Sequence, residues 1–203
     1  MERNNTLDRE RSKRLTRTAA LAFGVMVIGS MLFGSPPAET TLLAQMAGKY
    51  AAPRVGDQAP DFSLKDFGGG NFTLSKLTRD KHVIVWFTNL CEGCQSEIPT
   101  VLRLSAEYRK KGVEVVAVSL LGKDRTTVEA VMKKNKVSFR FLYDPDGAAT
   151  RLYSGKYVEG TCPLKNIFVI GKGGKVALTS HLPGIRINEL TAQLDALTGG
   201  IQR

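Results

Sequence analysis

From Val55 onward, the hydrophobic and polar positions switch repeatedly between a strand-like and a helix-like pattern. "HVIVWF" (82–87) and "VEVVAVSL" (113–120) are apolar runs rich in β-branched residues, the pattern of strands covered on both faces. "CQSEIPTVLRLSAEYRKKG" (94–112) instead spaces Ile98, Val101, Leu102 and Leu104 on or near one helical face and ends at a glycine. "DFSLKDFGGGNFTLSKL" (61–77) predicts two short strands around a triple-glycine turn. "DRTTVEAVMKKNK" (124–136) predicts a helix capped by Asp124. "FRFLYDP" (139–145) predicts a short strand, and "DGAATRLYSG" (146–155) a short helix. "NIFVI" (166–170) and "KVALTS" (175–180) flank a glycine-rich turn and predict a hairpin; "RINELTAQLDALTGG" (186–200) predicts a closing amphipathic helix. This order predicts an α/β sandwich with a mixed sheet. "GKGGK" lacks the full phosphate-loop pattern and joins two strands, so it is read as a turn.

The N-terminus follows a different pattern. Residues 1–18 hold six Arg and Lys residues against three acids, and 19–34 contain no charge. Continued to about residue 37, this apolar segment is long enough to span a bilayer, and the preceding positive charge would keep the N-terminus cytoplasmic. "SPPA" offers no small-x-small cleavage site, which favours an uncleaved signal-anchor. The expected organisation is a basic cytoplasmic arm (1–18), a transmembrane signal-anchor (19–37), a linker (38–53) and one folded domain (54–199).

Composition narrows the functional classes. The hydrophobic share of 42% and charged share of 24% are those of a globular chain. The net charge of +10 is scattered beyond the basic arm, and its tightest run, "RKK" at 109–111, suits a helix C-terminus, so nucleic acid is not expected as a partner. Three cysteines are too few to staple a domain of this size.

Two of the three lie in "NLCEGCQSEIP" (89–99), at the junction of a buried strand and a helix. At a helix N-terminus Cys91 would face unpaired N–H groups, which favour a thiolate. Cys94 lies about one turn on, within reach for a disulfide. Cys91 could therefore attack a partner disulfide and Cys94 resolve the intermediate. Two other uses stay open: a metal site, for which Cys162, His82 and His181 are the remaining candidates, and a structural disulfide, whose small loop would stabilise little.

With "VGDQAPDFSL", C-x-x-C-x-x-E-x-P at 91–99, "YDPDG" at 143–147 and "YVEGTCPLKNIFVIGKGGKV" at 157–176, the chain resembles the membrane-anchored TlpA/ResA-type thiol–disulfide oxidoreductases, related to AhpC/TSA proteins. The resemblance implies a thioredoxin-like fold, with Cys91 as exposed nucleophile and Cys94 as resolving thiol. It implies that Glu97 assists proton transfer and that Pro99 kinks the active-site helix. Pro163 would be the cis-proline facing the dithiol, within a substrate-binding loop of Thr161, Cys162 and Pro163. No cofactor is implied. The implied partners are client proteins with cysteine pairs, such as apocytochrome c, and a membrane thiol-reducing transporter as electron donor. The implied location is the bacterial inner membrane, with the domain on the periplasmic side. Leu90 departs from the family's usual tryptophan, Glu92-Gly93 is an unusual intervening pair, and Cys162 stands where threonine is common. Cys162 could form an alternative disulfide, tune the pair, help hold a soft metal, or simply be a small apolar side chain. Alternative functions are a thiol peroxidase, since "TNLC" (88–91) echoes T-x-x-C, and a copper-binding assembly factor of thioredoxin fold.

Overall fold

A computed structural model of the chain describes residues 51–199. The basic arm, the apolar segment and most of the linker therefore lie outside the described residues. Among the described residues, no helix is long and apolar enough to cross a membrane.

Seven strands form one mixed sheet: β1 (Ser63–Asp66), β2 (Asn71–Thr73), β3 (His82–Thr88), β4 (Val113–Ser119), β5 (Arg140–Tyr143), β6 (Ile167–Ile170) and β7 (Val176–Ser180). Their order is β2-β1-β5-β4-β3-β6-β7. β3 pairs parallel with β4 and antiparallel with β6, bringing Trp86 beside Ala117 and Ile167. The helices are α1 (Leu74–Leu77), α2 (Glu92–Ser96), α3 (Ile98–Arg109), α4 (Arg125–Lys134), α5 (Ala148–Ser154) and α6 (Ile187–Thr198).

Every residue of β3 is buried because both sheet faces are covered. Ile84 and Trp86 pack on one side with Ile98 and Leu104 of α3, Val128 of α4, and Leu190 and Leu194 of α6. Val83, Val85 and Phe87 pack on the other with Leu74 of α1 and Ala149 and Tyr153 of α5. Each fully buried Val, Ile or Phe contributes about 1.5–3 kcal/mol relative to exposure. The expected strands and the hairpin are present.

Two local differences from expectation have clear causes. The stretch read as one kinked helix is broken in two at Glu97. Pro99 has no N–H to donate to Gln95 and its ring crowds that carbonyl, so it sits in the first turn of a new helix. The "LSKL" turn is helical, α1, and too short to show a period in the sequence.

Candidate active site

β3 delivers the chain to its end at Thr88, and the next three residues form the entry to α2. Asn89 makes an Asx-turn: its Oδ1 accepts the Cys91 N–H at 3.2 Å. The Leu90 N–H donates to Thr88 Oγ1 at 3.1 Å, and the Leu90 carbonyl accepts from Gln95 Nε2 at 2.7 Å. These bonds hold Leu90 at φ 53°, in the left-handed region that a leucine enters at a cost of about 1–2 kcal/mol. Its side chain is buried, so the residue that replaces the rim tryptophan serves as a core anchor.

Cys91 is the N-cap of α2 and is exposed; Cys94 is buried in the core cluster. Both are free thiols. α2 has only five residues and carries Glu92 in its first turn. The Cys94 thiol donates to Asn89 Oδ1 at 3.6 Å. Glu97 is half-buried at the α2–α3 junction; its N–H donates to the Cys94 carbonyl at 3.2 Å, and its carboxylate does not cap α3.

The third thiol belongs to the same place. Cys162 precedes β6, the neighbour of β3, and is half-buried against the cluster that contains Cys94. The largest influence on Cys94 is its hydrogen-bonding interaction with Cys162, which together with burial pushes its thiol well above the ordinary range; Thr88 and Cys91 pull the other way. The same interaction, with help from Asn166, draws Cys162 down to about 7 against the opposing effect of burial. Asn166 is fully buried; its Nδ2 donates to Cys162 Sγ at 3.1 Å and to the Leu182 carbonyl at 3.0 Å, while its Oδ1 accepts the Leu182 N–H at 2.8 Å. Asn89 closes the other side, its Nδ2 donating to the Gly160 carbonyl at 2.8 Å.

One expectation is corrected. The cis peptide bond is Leu182–Pro183, and Cys162–Pro163 is not cis. Sequence alone cannot select among X–Pro bonds, because packing around the proline decides the isomer. Pro183 packs beside the redox turn: a Cβ placed on Gly93 would meet its Cγ at 3.6 Å. Pro163 and Thr161 instead line an open groove of about 470 Å³ with Tyr157, Val158, Cys162 and Leu164. A second groove of about 310 Å³, lined by Phe67, Arg109, Met132 and Arg140, contains no cysteine.

The other candidates fall elsewhere. His82 is buried in β3, its Nδ1 accepting the Lys172 N–H at 3.3 Å; burial and Lys172 hold it below the usual histidine value. Among the described residues, no three His, Cys, Asp or Glu side chains form a group that could hold a metal ion. The Thr88 hydroxyl of the T-x-x-C stretch accepts the Leu90 N–H and acts on Cys94. Asn89 and Asn166 were missed from sequence. Asn89 carried a signal, being an Asn two residues before a helix-capping cysteine. Asn166 carried none, since any polar residue can stand at a strand end.

The family model for AhpC/TSA proteins matches residues 55–179. The chain belongs to the AhpC/TSA family. This AhpC/TSA member is 32% identical over 137 residues to the thiol-disulfide oxidoreductase ResA of Geobacillus thermodenitrificans, covering 67% of this chain and 74% of that one. A crystal structure assigned as the thiol:disulfide interchange protein DsbE of Chlorobium tepidum matches with a TM-score of 0.60 and 29% identity, covering 73% of this chain and 100% of the other. The peroxidoxin BcpB of Mycobacterium tuberculosis shares the fold alone, with 22% identity, 74% and 99% coverage and a TM-score of 0.59. The AhpC/TSA member described here has a thioredoxin-like fold and is a thiol–disulfide oxidoreductase.

Proposed function

We propose that the enzyme is tethered to the outer face of a bacterial inner membrane, where it reduces disulfides in client proteins through Cys91 and Cys94. Apocytochrome c is the client we favour, and a membrane thiol-reducing transporter the electron donor. The observation that carries the reading is the difference in access between the two thiols: Cys91 is exposed at the head of α2, while Cys94 is 1% exposed one turn behind it. A client can reach only the first. The second is left to act on whatever the first has bound.

The Cys91 thiolate attacks one sulfur of the client disulfide, and the other client sulfur leaves as a thiolate. Cys94 then attacks Cys91 Sγ in the mixed disulfide. The Cys91–Cys94 bond forms, the remaining client sulfur departs, and the client has gained two electrons and two protons. Cys94 must lose its proton in this step, and its raised affinity for it keeps the thiol neutral until a partner is bound. Glu97, half-buried at the helix junction, is assigned to relay that proton to solvent. The groove lined by Thr161, Cys162 and Pro163 is assigned to an extended client segment, with Leu164 93% exposed at its edge. The membrane tether rests on the uncharged run at 19–34 behind its basic arm. It would raise the local concentration of client and donor together.

Trapping tests the assignment. Cys94→Ser should accumulate a mixed disulfide with client proteins, and Cys91→Ser should accumulate none. Equal trapping by both variants, or by neither, would remove the assigned roles. In cells, the full chain should sediment with membranes, and the chain begun at residue 54 should not.

A further inference from the structure

Cys162 packs, half-buried, against the core cluster that contains Cys94, which lies one turn behind Cys91 in α2. Cys162 is not loosely placed. Asn166, itself fully buried, donates to its sulfur at 3.1 Å and is clamped through Leu182 at 2.8 and 3.0 Å. Asn89 ties the Cys162 loop to the redox turn through Gly160, and touches Cys91 and Cys94 with its other amide atom. A small apolar filler would need none of these polar partners.

Resting on the dithiol reading given under Proposed function, we infer that Cys162 is a third redox thiol, and that the oxidised centre exchanges between a Cys91–Cys94 and a Cys94–Cys162 disulfide. The exchange consumes no oxidant. The Cys162 thiolate attacks Cys94 Sγ, the Cys94–Cys162 bond forms, the Cys91–Cys94 bond breaks, and the electron pair leaves with Cys91 as a thiolate. Cys162 has given its proton to solvent and Cys91 can take one up, so charge and electrons balance. With Cys94 in the disulfide its thiol no longer donates to Cys162, and the Asn166 amide at 3.1 Å is the donor that remains to favour the attacking thiolate.

This exchange adds a second activity. With Cys94 and Cys162 joined, Cys91 is the one free thiol and remains exposed. It can still attack a client disulfide, but no neighbour resolves the product. The mixed disulfide is released only by another thiol of the client, so the client's disulfides are reshuffled with no net reduction. The substrate class is a protein with a mispaired disulfide and a spare thiol.

Disulfide mapping decides the matter. The full chain is equilibrated in a glutathione buffer, its free thiols are blocked with N-ethylmaleimide, and tryptic peptides are sequenced by mass spectrometry. Trypsin leaves Cys91 and Cys94 together on 82–103 and Cys162 on 157–165. A cross-link between these peptides, with the blocking group on Cys91, should appear in at least about one in ten oxidised molecules. In Cys91→Ser, oxidised glutathione should produce the same cross-link through Cys94. If the Cys91–Cys94 bond forms and Cys162 is always found blocked, and Cys91→Ser gives only glutathione adducts, the third-thiol inference is overturned while the dithiol reading stands. If no Cys91–Cys94 bond forms under any condition, the dithiol reading itself fails.

Discussion

Asn166 carries more of the site than its place at a strand end suggests, because one buried amide serves Cys162 and both polar backbone atoms of Leu182. Asn166→Ala leaves those groups without partners. Each unsatisfied buried group costs about 1–3 kcal/mol, so urea denaturation should show a loss of that size or more. The same substitution removes a donor that favours the Cys162 thiolate. A lowered pKa means that the negative form is populated from lower pH. In the reduced protein, iodoacetamide labelling of Cys162 should therefore rise through about pH 7 and level off above it, where an ordinary thiol would rise through 9.0. Asn166→Ala should move that midpoint upward; an unmoved midpoint would show that the amide has no hold on the sulfur. Leu90 works differently. Its left-handed backbone and buried side chain pull against each other, and Leu90→Gly should destabilise, because truncating a buried leucine costs about 2–5 kcal/mol and outweighs the relieved strain.

At the scale of elements, α4 offers the cleanest test. Asp124 caps its start, accepting the Thr127 N–H at 3.0 Å as its sequence position predicted, and Asp124→Ala should cost about 1 kcal/mol. Its end is a Schellman turn: the Val137 N–H donates to the Met132 carbonyl at 2.9 Å and the Lys136 N–H to Lys133 at 3.2 Å. The left-handed residue there is Lys136, at φ 52°, where glycine is usual. Lys136→Gly should raise the thermal midpoint, with a gain of about 0.5–1 kcal/mol. The long elements were legible because their periodicity is the burial pattern itself. β3 reads as a buried run because both faces are covered, and α3 reads as a helix because Ile98, Val101 and Leu104 line one side. The shorter features were not. α1 spans barely a turn, and the choice of Leu182–Pro183 as the cis bond depends on chain segments far apart in sequence. The dithiol was legible as a motif, whereas the third thiol's partners, Asn166 and Asn89, could be assigned only once the strands had been placed side by side.

For the whole molecule, the placement of the cysteines follows from sheet topology. The redox turn leaves β3, and the Cys162 loop enters β6, its antiparallel neighbour, with the Phe87 N–H donating to the Asn166 carbonyl at 2.8 Å. Removal of residues 1–53 should leave disulfide reduction by the remaining domain dependent on Cys91, as measured by turbidity of a reduced insulin chain. Loss of that dependence would place the chemistry elsewhere. That single rung has a mechanical consequence. The redox turn and the Cys162 loop spring from the ends of adjoining, fully buried strands, so the two segments that bear the sulfurs are anchored side by side by β3 and β6. Amide exchange at Phe87 should be among the slowest in the molecule, and the redox centre should come apart only when the entire domain does.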